Sequence, residues 1–152
     1  MENVINLGIP HVGELIFESF DTSQLVNCLE VSETWKVLAG NVLTKRWKGK
    51  MSEACKRGET KVVELLLERN NSEESGLNMK NDRGHTPFMV ACYNGHKGIV
   101  KLLLERCNSE ESGLNTKDER GYTPFMWACK YGHRDVVKVL LDNSERIELN
   151  TK

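Results

Sequence analysis

The sequence predicts an all-α chain in which pairs of helices stack in a row, preceded by a separate helical module. Two observations support this prediction. The residues from Gly84 to Leu104 recur from Gly121 to Leu141, so that matching residues lie 37 positions apart. Such a fixed spacing indicates a repeat array, because each unit is one supersecondary element that cannot bury its apolar face alone. Residues 7–47 lack this spacing. They contain several short segments in which apolar residues recur at helical spacing.

The second and third repeats have the start and stop signals of two short helices. The hydroxyl of Thr86 can cap the first helix, and Pro87 follows at the first helical position, where its missing N–H costs nothing. Asn94 and Gly95 are turn residues that can adopt a positive φ and end this helix. The apolar residues at 99–104 then predict a second, largely buried helix.

These residues resemble the ankyrin repeat. The family pattern of Gly-x-Thr-Pro, then Ala, then Gly-His, then a Val- and Leu-rich helix is met at Gly84–Leu104 and at Gly121–Leu141, and a degenerate copy lies near Ala54–Leu67. The unit is longer than the usual length of about 33 residues. The extra residues lie in the identical segments Asn71–Asn78 and Asn108–Asn115, so we expect an extended hairpin or a polar loop there.

The resemblance implies a solenoid of helix pairs joined by long loops, with three repeats at about 48–80, 81–117 and 118–152. In this class of repeat the connector tips and the first helices line one face. That face is expected to bind a target protein through Arg and aromatic side chains, the usual anchors of interfaces. The alternative, that these are ordinary exposed positions, stays open. The residues that the resemblance places there are Arg83, His85, Tyr93, Asn94, Arg120, Tyr122, Lys130 and Tyr131. Their mixture of cations and aromatic rings favours a target segment with acidic and apolar character.

The segment at residues 7–47, after a flexible terminus at 1–6, resembles an F-box. The matching elements are Ile9-Pro10, the helix Ile16–Phe20, the spacer Asp21–Leu25, the element Val31–Trp35 and the closing Trp47. The resemblance implies three or four short helices that dock on the Skp-type adaptor of a cullin-type ubiquitin ligase. The positions that pack within the box or against the adaptor are Ile9, Pro10, Leu15, Leu25, Val31, Trp35 and Trp47.

Composition excludes several classes of function. The net charge of −1 argues against nucleic-acid binding, which needs clustered Lys and Arg. No apolar run reaches the roughly 18 residues that span a membrane, and the start of the chain lacks a secretory signal pattern. Cys55, Cys92 and Cys129 share one repeat position, so we expect them to be buried in a protein of the reducing cytoplasm or nucleus.

No catalytic or metal site is indicated by the sequence. There is no CxxC pair for zinc, and no cofactor motif is present. His96 and His133 each follow a turn glycine, and we expect them to bond to nearby backbone. The chain offers no nucleophile–base pair, so we expect no enzymatic activity.

Two functions remain open from the sequence. The first is a substrate receptor of a cullin-type ubiquitin ligase, in which the F-box binds the adaptor and the repeats bind the target. The alternative is an ankyrin-repeat scaffold whose helical N-terminus only caps the array. The last repeat is also expected to present Val136, Val139 and Leu140 at an open end, where the chain could continue with further repeats, fray or self-associate.

Overall fold

A computed structural model describes residues 16–48, 50–69, 76–106 and 113–146 of the chain. Every regular element in these ranges is a helix, which confirms the predicted all-α class. The chain forms two compact units, Met1–Lys48 and Gly49–Lys152. Within the described ranges, no helix combines the length and the apolar composition needed to cross a membrane.

Two capped helices dominate the described part of the first unit. Helix α1 spans Thr22–Cys28 and begins with a capping box, in which Asp21 Oδ1 accepts from the Gln24 N–H at 2.8 Å. The Gln24 side chain accepts in return from the Asp21 N–H at 2.9 Å. Helix α2 spans Glu33–Trp47, and the Ser32 hydroxyl caps it by accepting from the Trp35 N–H at 3.3 Å. Local polar residues therefore define both helix starts.

Aromatic rings pack together in the described part of this unit. The ring of Phe17 meets the rings of Phe20 and Trp35 edge-on, at centroid distances of 5.5 and 5.4 Å. The guanidinium of Arg46 donates to the carbonyl oxygens of Phe20 at 2.8 Å and Glu18 at 3.2 Å. The end of α2 is therefore bound to the residues that precede α1.

The second unit consists of three helix pairs. The first pair is α3 (Met51–Arg57) with α4 (Thr60–Arg69), the second is α5 (Pro87–Asn94) with α6 (Lys97–Arg106), and the third is α7 (Pro124–Lys130) with α8 (Arg134–Asp142). A 3-10 turn at Ser144–Arg146 follows. Helix α5 packs between α3 and α7, and α6 packs between α4 and α8, so first and second helices form two layers. Phe88 and Met89 of α5 lie fully buried between these layers.

The predicted helix signals act as expected in the second and third repeats. The hydroxyls of Thr86 and Thr123 accept from backbone N–H groups three residues later, each at 3.3 Å, and a proline follows each cap. Gly95 ends α5 with a φ of 74°. The first repeat lacks the Thr-Pro pair, and Lys50 at its start makes no side-chain cap.

Two histidines connect neighbouring repeats. The ring Nε2 of His96 lies 2.9 Å from the carbonyl oxygen of Lys56, and that of His133 lies 2.8 Å from the carbonyl oxygen of Tyr93. Both pairs are 40 residues apart, so the same bond occurs at both junctions. The predicted backbone-bonding role of the two histidines is confirmed. A Cβ added at Gly95 would stand 2.5 Å from the His133 ring, so this turn needs glycine for space as well as for its φ.

Two expectations about burial in the third repeat are wrong. Val136, Val139 and Leu140 are buried, because α8 turns this face towards the interior, where α6 and α7 pack against it. The exposed apolar residues here are Met126 and Leu141, whose exposed fractions are 38% and 47%. Self-association through this repeat stays a prediction.

The cysteines give the second correction. Cys55 and Cys92 are buried as expected, but Cys129 is exposed, because no further helix packs beyond α7 in the described part of the chain. Burial raises the pKa of the Cys55 thiol to about 12 and that of Cys92 well above its ordinary value.

The connectors between repeats are described only in part. Residues 70–75 and 107–112 lie outside the described ranges, and with them most of the predicted polar loops. The described ends of both connectors contain a turn with a buried leucine, Leu77 in one and Leu114 in the other. The equivalent anchors show that the 37-residue unit repeats in structure as well as in sequence.

Candidate functional site

The turns that precede α5 and α7, called the repeat tips below, have the same geometry. Oδ1 of Asn81 accepts from the N–H groups of Arg83 and His85, both at 3.0 Å. Oδ1 of Asp118, the equivalent residue 37 positions later, accepts from the N–H groups of Arg120 and Tyr122, both at 2.9 Å. A local turn of this type fixes its own backbone. Arg83 and Arg120 are therefore presented at the same position in consecutive repeats.

Asp118 is also the centre of a buried polar cluster. Its Oδ2 accepts from the indole N–H of Trp127 at 2.9 Å and lies 3.2 Å from Nε2 of His85, in the preceding repeat. Burial alone would raise the pKa of Asp118. The hydrogen bonds from Tyr122, Trp127 and Arg120, together with the charge of His85, outweigh burial, and the net pKa is lowered. The carboxylate therefore joins two repeats below the surface.

Aromatic rings cover this cluster. Trp127 is buried, with its ring 5.4 Å from Tyr93 and 5.7 Å from Tyr131. The rings of Tyr93 and Tyr131 are 4.5 Å apart, and Tyr131 keeps 48% of its surface exposed. Tyr122 lies 4.9 Å from Trp127, and Nζ of Lys130 stands 4.8 Å from the centroids of both rings. The cluster thus has a rigid interior and an accessible aromatic edge.

A groove of about 360 Å³ opens over this edge, between the second and third repeats. Its lining comprises Asp82, Arg83, His85, Tyr93, Asp118, Glu119, Arg120, Trp127 and Tyr131. A second groove of about 310 Å³ shares four of these residues and extends towards the first repeat. It is lined by Lys56, Asn81, Asp82, Arg83, His85, Val90, Tyr93 and Asn94. The two grooves therefore share a wall.

Several polar groups of the groove affect the pKa of the Tyr131 hydroxyl. A hydrogen bond with the Tyr93 side chain raises the pKa of Tyr131, while the positive charges of Arg120 and Arg83 lower it. The net direction is upward. Tyr131 lines the groove together with Tyr93, Arg83 and Arg120.

The structure brings the eight residues predicted for target binding to one region. Six of them line the grooves, namely Arg83, His85, Tyr93, Asn94, Arg120 and Tyr131. Tyr122 and Lys130 pack on Trp127 beside the grooves. The side chain of His85 is only 10% exposed, and the amide of Asn94 donates to the Val90 carbonyl oxygen at 2.8 Å. A role in target binding stays a prediction for all eight.

Two residues of the site were missed by the sequence analysis. Trp127 stands 37 positions after Val90, and Asp118 stands 37 positions after Asn81. Both are places where the repeats differ. A comparison of the copies for differences, rather than for shared residues, would have identified them.

The residues predicted for adaptor binding are only partly described. Ile9, Pro10 and Leu15 lie outside the described ranges. Leu25 and Trp47 are buried, Trp35 is partly buried against Phe17, and Val31 is 56% exposed.

The described residues offer no candidate metal site. Nowhere in these ranges do three or more His, Cys, Asp or Glu side chains come together in a group that could hold an ion.

Comparisons with known proteins address the fold and the family. The sequence profile described as "Ankyrin repeats (3 copies)" matches residues 51–152, about two thirds of the chain. No curated protein sequence gives a significant match. A solved chain in the crystal structure of the yeast ribosomal protein Rps3 in complex with its chaperone Yar1 is similar in fold. The similarity has a TM-score of 0.55 and 20% sequence identity, and it covers 94% of this chain and 92% of that chain.

The profile match agrees with the paired helices and the inter-repeat histidine bonds described above, and the F-box resemblance of the first unit has no such match. The chain belongs to the ankyrin-repeat family, whose repeats are protein-interaction modules.

Proposed function

We propose that this chain is a protein-interaction scaffold, and that a partner protein binds in the grooves lined by Tyr93 and Tyr131. The observation that carries the proposal is the aromatic edge itself. The Tyr131 ring is half exposed although it stacks on the buried Trp127, so a partner can gain contact area without first ordering the ring. Preorganised aromatic side chains at the centre of a contact are typical binding anchors.

The surroundings of this edge support the same function. Exposed Arg83 and Arg120 flank it, and arginine is the other residue type enriched at energetic anchors. Asp118 fixes the backbone of one tip, and the inter-repeat bonds hold the neighbouring helices. A rigid surface of this kind binds with little loss of conformational entropy.

Affinity capture with quantitative mass spectrometry tests the proposal. The full chain, a Tyr131→Ala variant and a Leu141→Ala variant would be compared in the same extract. Leu141 is a matched control, because it is similarly exposed but lies on α8, in the other layer. We expect partners that are captured by the wild type and by Leu141→Ala, and that are depleted at least about tenfold by Tyr131→Ala. Equal capture by all three proteins would contradict the proposal.

A second candidate function is that of a substrate receptor of a cullin-type ubiquitin ligase, with the first unit docked on a Skp-type adaptor. One observation favours it. Val31, which stands at an adaptor-binding position of the F-box resemblance, is 56% exposed just before the Ser32 cap of α2. In such a receptor the repeats would raise the local concentration of the target near the ligase.

An adaptor pull-down tests this second function with a matched pair of variants. Val31→Asp is expected to abolish adaptor binding by placing a charge in an apolar contact. Val37→Asp is the control, because Val37 is 51% exposed and does not belong to the predicted adaptor set. Leu25 is unsuitable for this test, since it is completely buried and its replacement would disturb the unit itself. Absence of binding by the wild type would exclude the ligase function.

A further inference from the structure

Two arginines of the groove form no ion pair within the described part of the chain. Arg83 and Arg120 are exposed, and their backbone N–H groups are fixed by Asn81 and Asp118. No ion pair involves either guanidinium within those residues, although other exposed cations, such as Lys45 and Arg57, do form ion pairs. The two charges are thus held at fixed tips and available to a ligand.

The tyrosines that line the groove together with the two arginines carry hydroxyl donors. The rings of Tyr93 and Tyr131 lie 4.5 Å apart in the wall of the groove, and the hydroxyls interact with each other. Both arginines line the same groove as Tyr131. Guanidinium and phenol groups arranged in this way suit the oxygen atoms of an anion, because a planar guanidinium can donate two parallel N–H bonds to a carboxylate.

Two acidic residues of the groove disfavour an anion that carries more than one negative charge. Asp82 and Glu119 also line the groove, so the four charged side chains at the two tips sum to zero. Asp118 adds no accessible negative charge, because its carboxylate is buried and accepts four hydrogen bonds or ion-pair contacts. Asp82 and Glu119 would repel a doubly charged phosphate more strongly than a singly charged carboxylate.

The size of the groove suits a side chain rather than a small-molecule cofactor buried on all sides. About 360 Å³ of open groove accommodates one acidic side chain with its apolar neighbour. Lys130 is already placed over Tyr122 and Trp127, so the exposed face of Tyr131 is the apolar surface left for a ligand.

We infer that the groove binds an extended segment of a partner protein through one Asp or Glu side chain held between Arg83 and Arg120, with an adjacent apolar side chain packed on Tyr131. The inference rests on the proposed function and specifies its partner. The carboxylate accepts from both guanidinium groups, and the apolar neighbour covers the exposed edge of the aromatic cluster.

A phage-displayed library of random dodecapeptides, selected against the full chain, tests the inference. We expect the selected peptides to share an Asp or Glu beside an aromatic or aliphatic residue. Synthetic copies would then be titrated against the wild type and the double variant R83Q/R120Q. We expect binding to weaken at least about tenfold in this variant, the size typical of a lost charge-assisted contact. Changing the peptide's acidic residue to its amide should weaken wild-type binding equally, and should have little further effect on the variant.

A second double variant controls for the loss of charge. K101Q/K138Q removes two positive charges from exposed residues that are also 37 positions apart, but on α6 and α8 in the other layer. We expect it to bind the peptides as the wild type does, within about twofold. Thermal unfolding of both variants should match the wild type, because none of the four replaced side chains forms an ion pair with a described residue.

The possible failures of the two ideas can be told apart. Selected peptides that lose binding with Tyr131→Ala but not with R83Q/R120Q would overturn the carboxylate inference and leave the proposed function standing. A phosphoserine replacing the acidic residue and binding more tightly would also overturn the carboxylate assignment. Peptides unaffected by Tyr131→Ala and by R83Q/R120Q, or a library that yields no enriched sequence, would contradict both.

Discussion

The indole N–H of Trp127 donates a 2.9 Å hydrogen bond to Asp118, and the ring of His85 lies 3.2 Å from the same carboxylate oxygen. This contact joins the second repeat to the third beneath the groove. The other oxygen of Asp118 fixes the tip that carries Arg120. One buried side chain therefore links the interior of the array to the shape of its candidate binding surface.

Replacing Asp118 should destabilise the repeats more than replacing its counterpart in the preceding repeat. In Asp118→Asn an amide N–H₂ would face the donor of Trp127, which leaves a buried donor unsatisfied. We expect a loss of about 1–3 kcal/mol in the free energy of unfolding, measured by urea denaturation. Asn81→Asp is the control, because Asn81 is exposed and its Oδ1 acceptor is retained in the variant. We expect that change to stay within about 0.5 kcal/mol, and equal losses in the two variants would contradict the assigned role.

The stability of the repeats should depend on pH through Asp118. Its pKa is lower in the folded chain than the ordinary value of 3.8. The unfolded state therefore binds the proton more readily, and the contribution of Asp118 is complete above the unfolded pKa and is lost as the pH falls through the folded pKa. We expect the stability difference between the wild type and Asp118→Asn to shrink as the pH is lowered from 7 towards about 3. A difference that is constant over this range, in urea titrations of both proteins, would rule out the linkage.

Alanine substitutions at two turn glycines allow the cost of backbone strain to be measured separately from the cost of a steric clash. Gly95 and Gly132 have φ angles of 74° and 69°, so alanine at either position is strained by about 1–2 kcal/mol. At Gly95 the new Cβ would also stand 2.5 Å from the His133 ring, whereas nothing lies within 4 Å of such an atom at Gly132. We expect Gly95→Ala to lower the midpoint of thermal unfolding more than Gly132→Ala. A similar loss in both would mean that the histidine bond tolerates the extra atom.

The repeat cysteines should react at different rates with a thiol reagent. Cys129 is exposed, whereas Cys55 and Cys92 are buried and their raised pKa values keep them protonated. Partial burial of the sulfur also raises the pKa of Cys129, so its alkylation should accelerate with pH. Mass spectrometry of the folded protein after iodoacetamide treatment is expected to find the label on Cys129 before Cys55 and Cys92. Labelling of Cys92 at the same rate in the folded protein would contradict the burial described here.

Local signals in the sequence were enough to predict the helix pairs. Thr86, Pro87 and Gly95 act within one turn of chain, so their hydrogen bonds and dihedral angles can be anticipated without knowledge of the neighbours. The histidine bonds were also expected, because His96 and His133 follow turns where backbone carbonyls are close. These features are determined by short stretches of sequence.

Features that depend on neighbouring repeats were harder to predict. Cys129 shares its repeat position with two buried cysteines, but its burial depends on what packs beyond α7. Val136 was assigned to the wrong face, because periodicity shows that α8 has an apolar side and not which helix this side meets. Trp127 and Asp118 were missed because their partner, His85, belongs to another repeat. Six residues that line the grooves were therefore named from the sequence, while the buried contacts beneath them were not.

The third repeat has Trp127 where the second repeat has Val90, and this difference has a consequence for any bound chain. The three units follow one another at constant intervals, so a ligand could in principle shift by one unit and find similar surroundings. Trp127 occurs at one of these equivalent places and Val90 at another, which makes the shifted arrangements unequal in energy. For the proposed partner segment, a single bulky ring thus favours one register over the others on a periodic surface.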